Sequence, residues 1–499
     1  MLLAPAQSRT SALLWGGLAV LAGVLVALLP VTLAGGVVVL GIVALAFVLE
    51  PTLALVLMLS VAPLKTLIAT EAPFALPVDI GQLTFALAVG AWAVWRATNR
   101  RFQPLPRSRI LLPLLAIMAG FSPSLWNAIS AGAWLSEMLK WVEILLLVVI
   151  VLDLAYPNRW TWLAFGVVTA AVLQALIGLY EFRGGSGAPH LWVLDYTRFR
   201  AFGTFGQPNP FSAFMGLSLP LALGMAWGYL YQAYAAWRVN RSFQAWLAPI
   251  TLLAYYGGCG VVILAGLLVS WGRGAWLGFG AAATVMVFFA PRKRWQGALL
   301  LVGGGALIVI VWLAGYVPAG IQQRITNTLD EFVGFGDMRG VPISDENFAI
   351  VERLAHWQAA YNMTNDHPWI GVGLGHYEVV YPEYGIPSWP RPLGHAHNDY
   401  LNILAETGIL GLTVYLAGWM VLVYWTLRAL RLSDPVWRGL VLGLLGTWTH
   451  LGVHSIVDKL YVNNLFLHIG VMLGLLAIAY QRSNADCTNL EREHDVEYT

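Results

Sequence analysis

The segment Gly394-His395-Ala396-His397-Asn398-Asp399-Tyr400-Leu401 puts two imidazoles, an amide and a carboxylate immediately before a long apolar stretch. Asn398 suits a helix N-cap, and Asp399 suits the first turn that follows. His397 then sits at the positive end of a helix dipole, where a neutral imidazole can accept a proton. Glu406 lies two turns beyond Asp399 and can face the same cavity, orienting a sugar or pairing with an arginine. The competing reading is that both histidines bond loop carbonyls and cap the helix. A metal site is a third reading, since His367, His376 and Asp399 are near in sequence. His-x-His is a weak metal signal, however, and no His-Glu-x-x-His or cysteine pair accompanies it. Neither a metal nor any other cofactor is expected.

A second constellation is made of arginines. Arg198 and Arg200 stand in Arg198-Phe199-Arg200-Ala201-Phe202-Gly203-Thr204-Phe205-Gly206, just before an apolar run, and Arg273 stands in Ser270-Trp271-Gly272-Arg273-Gly274 between two runs with almost no loop. Arg353 falls in the longest polar stretch. A guanidinium keeps its charge and offers a planar fork to phosphate oxygens, so several converging on one cavity suit a diphosphate without a metal ion. Interfacial snorkelling or pairing with acidic residues is the alternative. His450, His454 and Asp458 recur at a spacing of four on one helix face, either lining the cavity or bonding neighbouring helices. The run Gly371-Val372-Gly373-Leu374-Gly375 lacks a following Lys-Ser or Lys-Thr and reads as a turn.

These residues must be positioned by membrane helices. With 58% hydrophobic and 11% charged residues and a mean hydropathy of +0.68, the 499-residue chain has too little polar surface for a water-soluble protein. Spans need about 20 apolar residues each, and apolar windows recur from Ala12–Leu29 and Thr32–Val48 to Gly439–Leu451 and Leu465–Tyr480. The first is read as a retained helix. We expect an all-α polytopic bundle of about 12–14 spans: residues 1–316 and 400–480 in the membrane, a partly helical extracytoplasmic cap over 317–399 with a helix near Glu352–Asn365, and a disordered cytoplasmic tail over 481–499. The net charge is only +2, and no nucleic-acid footprint appears. Basic clusters fall in alternate short loops, at Arg96–Arg109, Arg238–Arg241, Arg292–Arg294 and Arg428–Arg438, which makes those loops cytoplasmic and places Arg198, Arg200, Arg273 and Arg353 outside.

Several stretches resemble the O-antigen ligase and polymerase superfamily: Asp366-His367-Pro368-Trp369-Ile370-Gly371-Val372-Gly373-Leu374-Gly375, His395-Ala396-His397-Asn398, Glu406-Thr407-Gly408-Ile409-Leu410-Gly411, and the segments around Gly203–Asn209 and Gly272–Leu277. The resemblance implies a GT-C-like membrane glycosyltransferase of the plasma membrane. It would use an undecaprenyl diphosphate-linked glycan as donor, a glycan, lipid or protein hydroxyl as acceptor, and no metal. It makes His397 the base and Arg200 and Arg273 the diphosphate ligands. Arg353, Arg198, His395, Asn398, Glu406 and His454 are expected to contact substrate. A transporter of bicarbonate or a lipid-linked sugar is the rival, but that would gather polar groups near the bilayer midplane. The charge rule is tested by single cysteines at Ser344, Ser388 and Ser108: in intact cells an impermeant thiol reagent should label the first two and spare the third.

Overall fold

The computed structural model describes residues 41–72, 78–100, 103–155, 158–185, 191–193, 197–239, 243–317, 320, 322, 337–343 and 347–497. The window Ala12–Leu29 and the first part of Thr32–Val48 lie outside these residues. The described chain is helical apart from a two-residue antiparallel pair, β1 (Trp192–Val193) and β2 (Arg198–Phe199). Its helices are α1 (Pro51–Val61), α2 (Lys65–Glu71), α3 (Ile80–Asn99), α4 (Leu111–Phe121), α5 (Ala131–Asp153), α6 (Trp160–Tyr180), α7 (Pro208–Val239), α8 (Phe243–Val269), α9 (Arg273–Phe289), α10 (Arg294–Leu313), α11 (Phe348–Asp366), α12 (Tyr377–Tyr384), α13 (Asp399–Ala429), α14 (Pro435–His454) and α15 (Leu465–Glu497). Among the described residues seven helices are long and apolar enough to cross a membrane, and Leu111–Asn127 and Arg273–Phe289 are shorter apolar helices. Helices α3 and α5 are further long elements, as is α14, which holds the expected window Gly439–Leu451. Glu137, Lys140, Glu143 and Asp153 on α5, and Arg438, His450 and His454 on α14, make the last two less apolar. Residues 481–497, expected to be disordered, instead continue α15.

Contacts divide the chain into two units, residues 1–55 with 85–103 and residues 56–84 with 104–499. In the first, Phe47, Ala54, Leu55, Ala88, Ala91 and Trp95 are buried, and the Arg100 guanidinium lies over the Trp95 ring at 5.4 Å. The second holds every candidate site residue. Its central seam joins α7 to α14 through glycines four apart on each helix. A Cβ on Gly224 would lie 2.4 Å from Gly439 O, one on Gly439 would lie 2.4 Å from Gly224 O, and one on Gly443 would lie 2.8 Å from Pro220 O. Backbones meet here without side chains between them, the usual way to gain dispersion energy where lipid supplies no hydrophobic drive. Thr447 Oγ1 adds an interhelical hydrogen bond to Leu217 O at 2.9 Å.

The two ends of the seam differ in chemistry. At one end Arg438, 6% exposed, donates to the last carbonyls of α9 and its successor, Phe289 O at 3.1 Å and Ala290 O at 2.8 Å. A cation there completes otherwise orphaned helix-end acceptors. Arg292 and Arg294 lie in the same basic turn. At the other end the start of α9 packs on the end of α14, where a Cβ on Gly274 would meet the His454 ring at 2.8 Å. The basic turn at Arg292–Arg294 and the Arg273–His454 junction therefore occupy opposite ends of the seam.

The cap contains the expected helix, as α11, together with α12. Ala359, Ala360, Met363, Val372, Tyr377, Val380, Tyr381, Ala396 and Ala405 form its core. It is tied to α13 at a kink: Gly408 has φ 66° and ψ −172°. The carbonyls released there are filled by the glycine-rich turn, with Val372 N–H donating to Ala405 O at 2.9 Å and Gly373 N–H to Glu406 O at 3.0 Å. Gly371 (φ 68°) comes so close that a Cβ would lie 2.3 Å from Glu406 C. The run Gly371–Gly375 is thus a structural turn under the cap. His356 of α11 is fully buried in the same region, its ring 5.0 Å from Tyr381. The Tyr377 hydroxyl donates to His356 O at 3.1 Å, so His356 Nδ1, 3.0 Å from that hydroxyl, must carry the proton and donate to it. Burial, with a smaller contribution from His397, pushes the His356 imidazole down to about 4.

Two measurements follow. Gly439→Val should lower the unfolding midpoint of the purified protein, a loss of about 1–3 kcal/mol or more from overpacking, whereas Gly304→Val, with nothing within 4 Å of its Cβ position, should not. The depressed His356 contributes stability that is fully present above its ordinary value of 6.5 and is lost as pH falls toward about 4, by at most about 3 kcal/mol. The unfolding midpoint should therefore drop across that window, and His356→Gln should flatten the drop.

Candidate functional site

The site is built where the loop before α13 meets the loop after α14. Asn398 is the N-cap of α13, its side chain accepting from Leu401 N–H at 3.0 Å. Asp399 follows in the first turn, 1% exposed. Its Oδ2 accepts from Leu460 N–H at 3.0 Å and from the Ser455 hydroxyl at 3.1 Å, and its own N–H donates to Ser455 O at 2.8 Å. Ala396 N–H is held by Asn402 Oδ1 at 3.1 Å. Between these fixed points His397 takes a left-handed backbone, φ 52°, and donates its N–H to His395 Nδ1 at 3.1 Å. The turn aims the His397 ring at the post-α14 loop.

There Asp458 faces it, with Oδ1 3.8 Å from His397 Nδ1. That is beyond hydrogen-bond reach, so the attraction is electrostatic. Among the described residues neither ring nitrogen of His397 has a hydrogen-bond partner. Burial works to raise the Asp458 carboxyl, but the imidazoles of His397, His395 and His454 outweigh it and hold the group below the ordinary carboxylate range. His395 is pushed down to about 3, by burial first and then by His397. His395, His397 and Asp458 each offer a ligand atom within 4.8 Å of the others, the one cluster among the described residues with the shape of a metal site.

The arginines arrive from two other directions. Arg200 is laced to the end of α8: its Nε donates to Ser270 O at 3.0 Å, and the next N–H, of Ala201, donates to Val269 O at 3.0 Å. Trp271 (φ 57°) turns the chain there so that Arg273 opens α9. Arg353 comes from the cap on α11, one turn before His356 and Trp357, and Trp357 Nε1 donates to His397 O at 3.4 Å. Burial lowers Arg200 to about 10, and the charges of Arg353 and Arg273 add to the effect. Arg200 keeps its proton at neutral pH. Arg353 and Arg273 are both close enough to Arg200 for their charges to reach it.

Not every candidate joins this cluster. Arg198 is exposed, with its guanidinium over the Phe182 ring at 6.0 Å. Glu406 is 2% exposed and accepts from Tyr377 N–H at 3.1 Å, which places it in the seam between cap and α13. His454, by contrast, borders the cluster, close enough to Asp458 and Arg353 to feel their charges; it is 3% exposed, with Nδ1 3.3 Å from His450 Nε2, against Gly274. His376 is spent on Ser130 N–H and Leu374 O, and His367 lies 3.4 Å from Asn127.

Two groups carry no signal readable in the sequence. Lys459 is buried beside Asp458 and paired with Glu137 at 3.3 Å, which also binds Lys140 at 2.6 Å. Burial works to lower Lys459, but Glu137, Glu406 and Asp399 together raise it. His356 is visible only once α11 is known to set Arg353, His356 and Trp357 on one face. An apolar cavity of about 360 Å³ also opens between α13 and α14, starting at Tyr400 and lined by Tyr415, Trp419, Met420, Tyr424 and Trp448 among others.

A family model described as O-Antigen ligase matches residues 258–416. The matched stretch runs from within α8 to within α13 and includes Arg273, Arg353, His395, His397, Asn398 and Glu406, while Arg198, Arg200 and His454 lie outside it. No curated protein matches the chain closely enough to count as a relative. Over residues 258–416, this multi-pass membrane protein is similar to the O-antigen ligase family.

Proposed function

We propose that the chain is a membrane glycosyltransferase that moves a glycan from an undecaprenyl diphosphate-linked donor to an acceptor hydroxyl, with inversion, at the outer face of the plasma membrane. The observation that carries this reading is one arrangement: a His397 imidazole whose two buried ring nitrogens are unspent, backed by the Asp458 carboxylate at 3.8 Å, with Arg353 on the helix whose Trp357 bonds His397 O and close enough to Arg200 for their charges to interact. In this reading His397 Nε2 takes the proton of the acceptor hydroxyl while the oxygen attacks the anomeric carbon. The anomeric carbon–phosphate oxygen bond breaks, and its electron pair leaves with the lipid diphosphate. Asp458 stabilises the imidazolium through Nδ1. Arg200 and Arg273 stabilise the departing diphosphate, with Arg353 closing over it from the cap.

Preorganised cations aimed at developing negative charge are the kind of contribution that usually dominates catalysis, and a positioned base adds about 10²- to 10⁴-fold. The groove between α13 and α14 suits the apolar chain of a lipid substrate, since it starts three residues after His397. Two variants separate the roles, assayed in excess EDTA. Arg273→Lys keeps a charge but loses the planar fork, so donor binding and transfer should both weaken. His397→Ala should leave donor binding near normal while single-turnover transfer falls by about two to four orders of magnitude. Wild-type transfer by folded His397→Ala protein would remove the base. Loss of donor binding in that variant alone would exchange the two roles.

A further inference from the structure

We propose that His395, His397 and Asp458 form a binding site for a borderline-soft divalent ion such as Zn²⁺, and that its occupancy takes His397 out of proton transfer. The binding rests on the geometry alone. The inhibition rests on the reading of His397 as base.

The three ligand atoms lie within 4.8 Å of one another. Tetrahedral zinc, with bonds of about 2.0–2.2 Å, needs its ligands roughly 3.4 Å apart, so a contraction of at most about 1.4 Å by side-chain rotation closes the site. Two imidazoles and one carboxylate are a donor set that zinc accepts and that the hard ions Mg²⁺ and Ca²⁺ do not favour. The lone pair this needs is at hand, because neither nitrogen of His397 is spent on a hydrogen bond among the described residues. Asp458, 6% exposed, already accepts from Lys459 N–H at 2.9 Å, which fixes its carboxylate as an outer-shell bond fixes a ligand. The three protein ligands leave a fourth position open.

Two opposing effects set the affinity. His395 must adopt the tautomer that frees a nitrogen, at the expense of the bond it accepts from His397 N–H at 3.1 Å, a loss of about fivefold. The positive field of Arg200, Arg273 and Arg353 also opposes a dication, whereas Lys459 is compensated by Glu137 at 3.3 Å. The site should therefore bind Zn²⁺ on the order of micromolar, well short of a closed structural zinc site.

The test uses the full chain, purified in nanodiscs, stripped with EDTA and then freed of it. Calorimetric titration with ZnCl₂ should give one tight equivalent, and Co²⁺ should develop the visible bands of a tetrahedral site. His395→Gln and Asp458→Asn should each weaken Zn²⁺ binding by at least about tenfold, with an unchanged unfolding midpoint in EDTA showing that both are folded. Absence of a tight equivalent, or full affinity in both variants, overturns the site. In single-turnover transfer by the unmodified chain, Zn²⁺ should inhibit at the concentration at which it binds, and EDTA should reverse it. Binding that both variants lose but that leaves transfer intact would keep the site and overturn the inhibition, and with it the role of His397 as base.

Discussion

The Asp399 carboxylate is buried at the junction of two loops and accepts from Leu460 N–H and the Ser455 hydroxyl, while the Asp399 N–H donates to Ser455 O. Burial raises the Asp399 carboxyl to about 7, against the bonds from Leu460 N–H and the Ser455 hydroxyl that lower it, and a buried acceptor that lost those bonds would carry its full desolvation penalty. This one residue therefore fixes the loop that carries His395 and His397 against the loop that carries Asp458 and Lys459. The separation of 3.8 Å between His397 and Asp458 depends on it. So do the nearby charges, because Lys459 answers Asp399, Glu406 and Glu137 together.

The cap is held by a similar economy of backbone groups. A straight α13 would keep Ala405 O and Glu406 O for itself. The left-handed Gly408 releases them, and the turn at Gly371–Gly373 supplies the missing donors. Each glycine makes room for the other's backbone, since a Cβ on Gly408 would lie 2.3 Å from Trp369 C. Glu406 completes the joint by accepting from Tyr377 N–H. The consequence is that α11, and with it Arg353, His356 and Trp357, is registered to the start of α13 by main-chain bonds.

The arginine cluster is arranged against its own repulsion. Arg353 and Arg273 both act to weaken the charge on Arg200, on top of burial. Such an arrangement is more favourable once an anion lies between the cations than before it arrives, which is how a preorganised site stabilises charge without reorganising.

Composition and window length alone required a polytopic helical protein, because no soluble fold can cover so much apolar surface. Local spacing was also enough for the Asn398 cap, the helix near Glu352–Asn365 and the structural nature of the glycine turn, since caps and turns depend on neighbours in the chain. The tail beyond Gln481 is polar yet rich in good helix formers, and α15 continues through it. Only the tertiary structure decided which polar residues meet. Arg198 and Arg200 are two residues apart yet differ in exposure, because only Arg200 bonds the end of α8. Glu406, expected to face the cavity, accepts from Tyr377 N–H at the joint between the cap and α13. Asp458 became the partner of His397, and Lys459 the partner of Glu137, through contacts between segments far apart in the chain. Such pairings depend on how helices pack and where backbones approach, and periodicity carries no information about either.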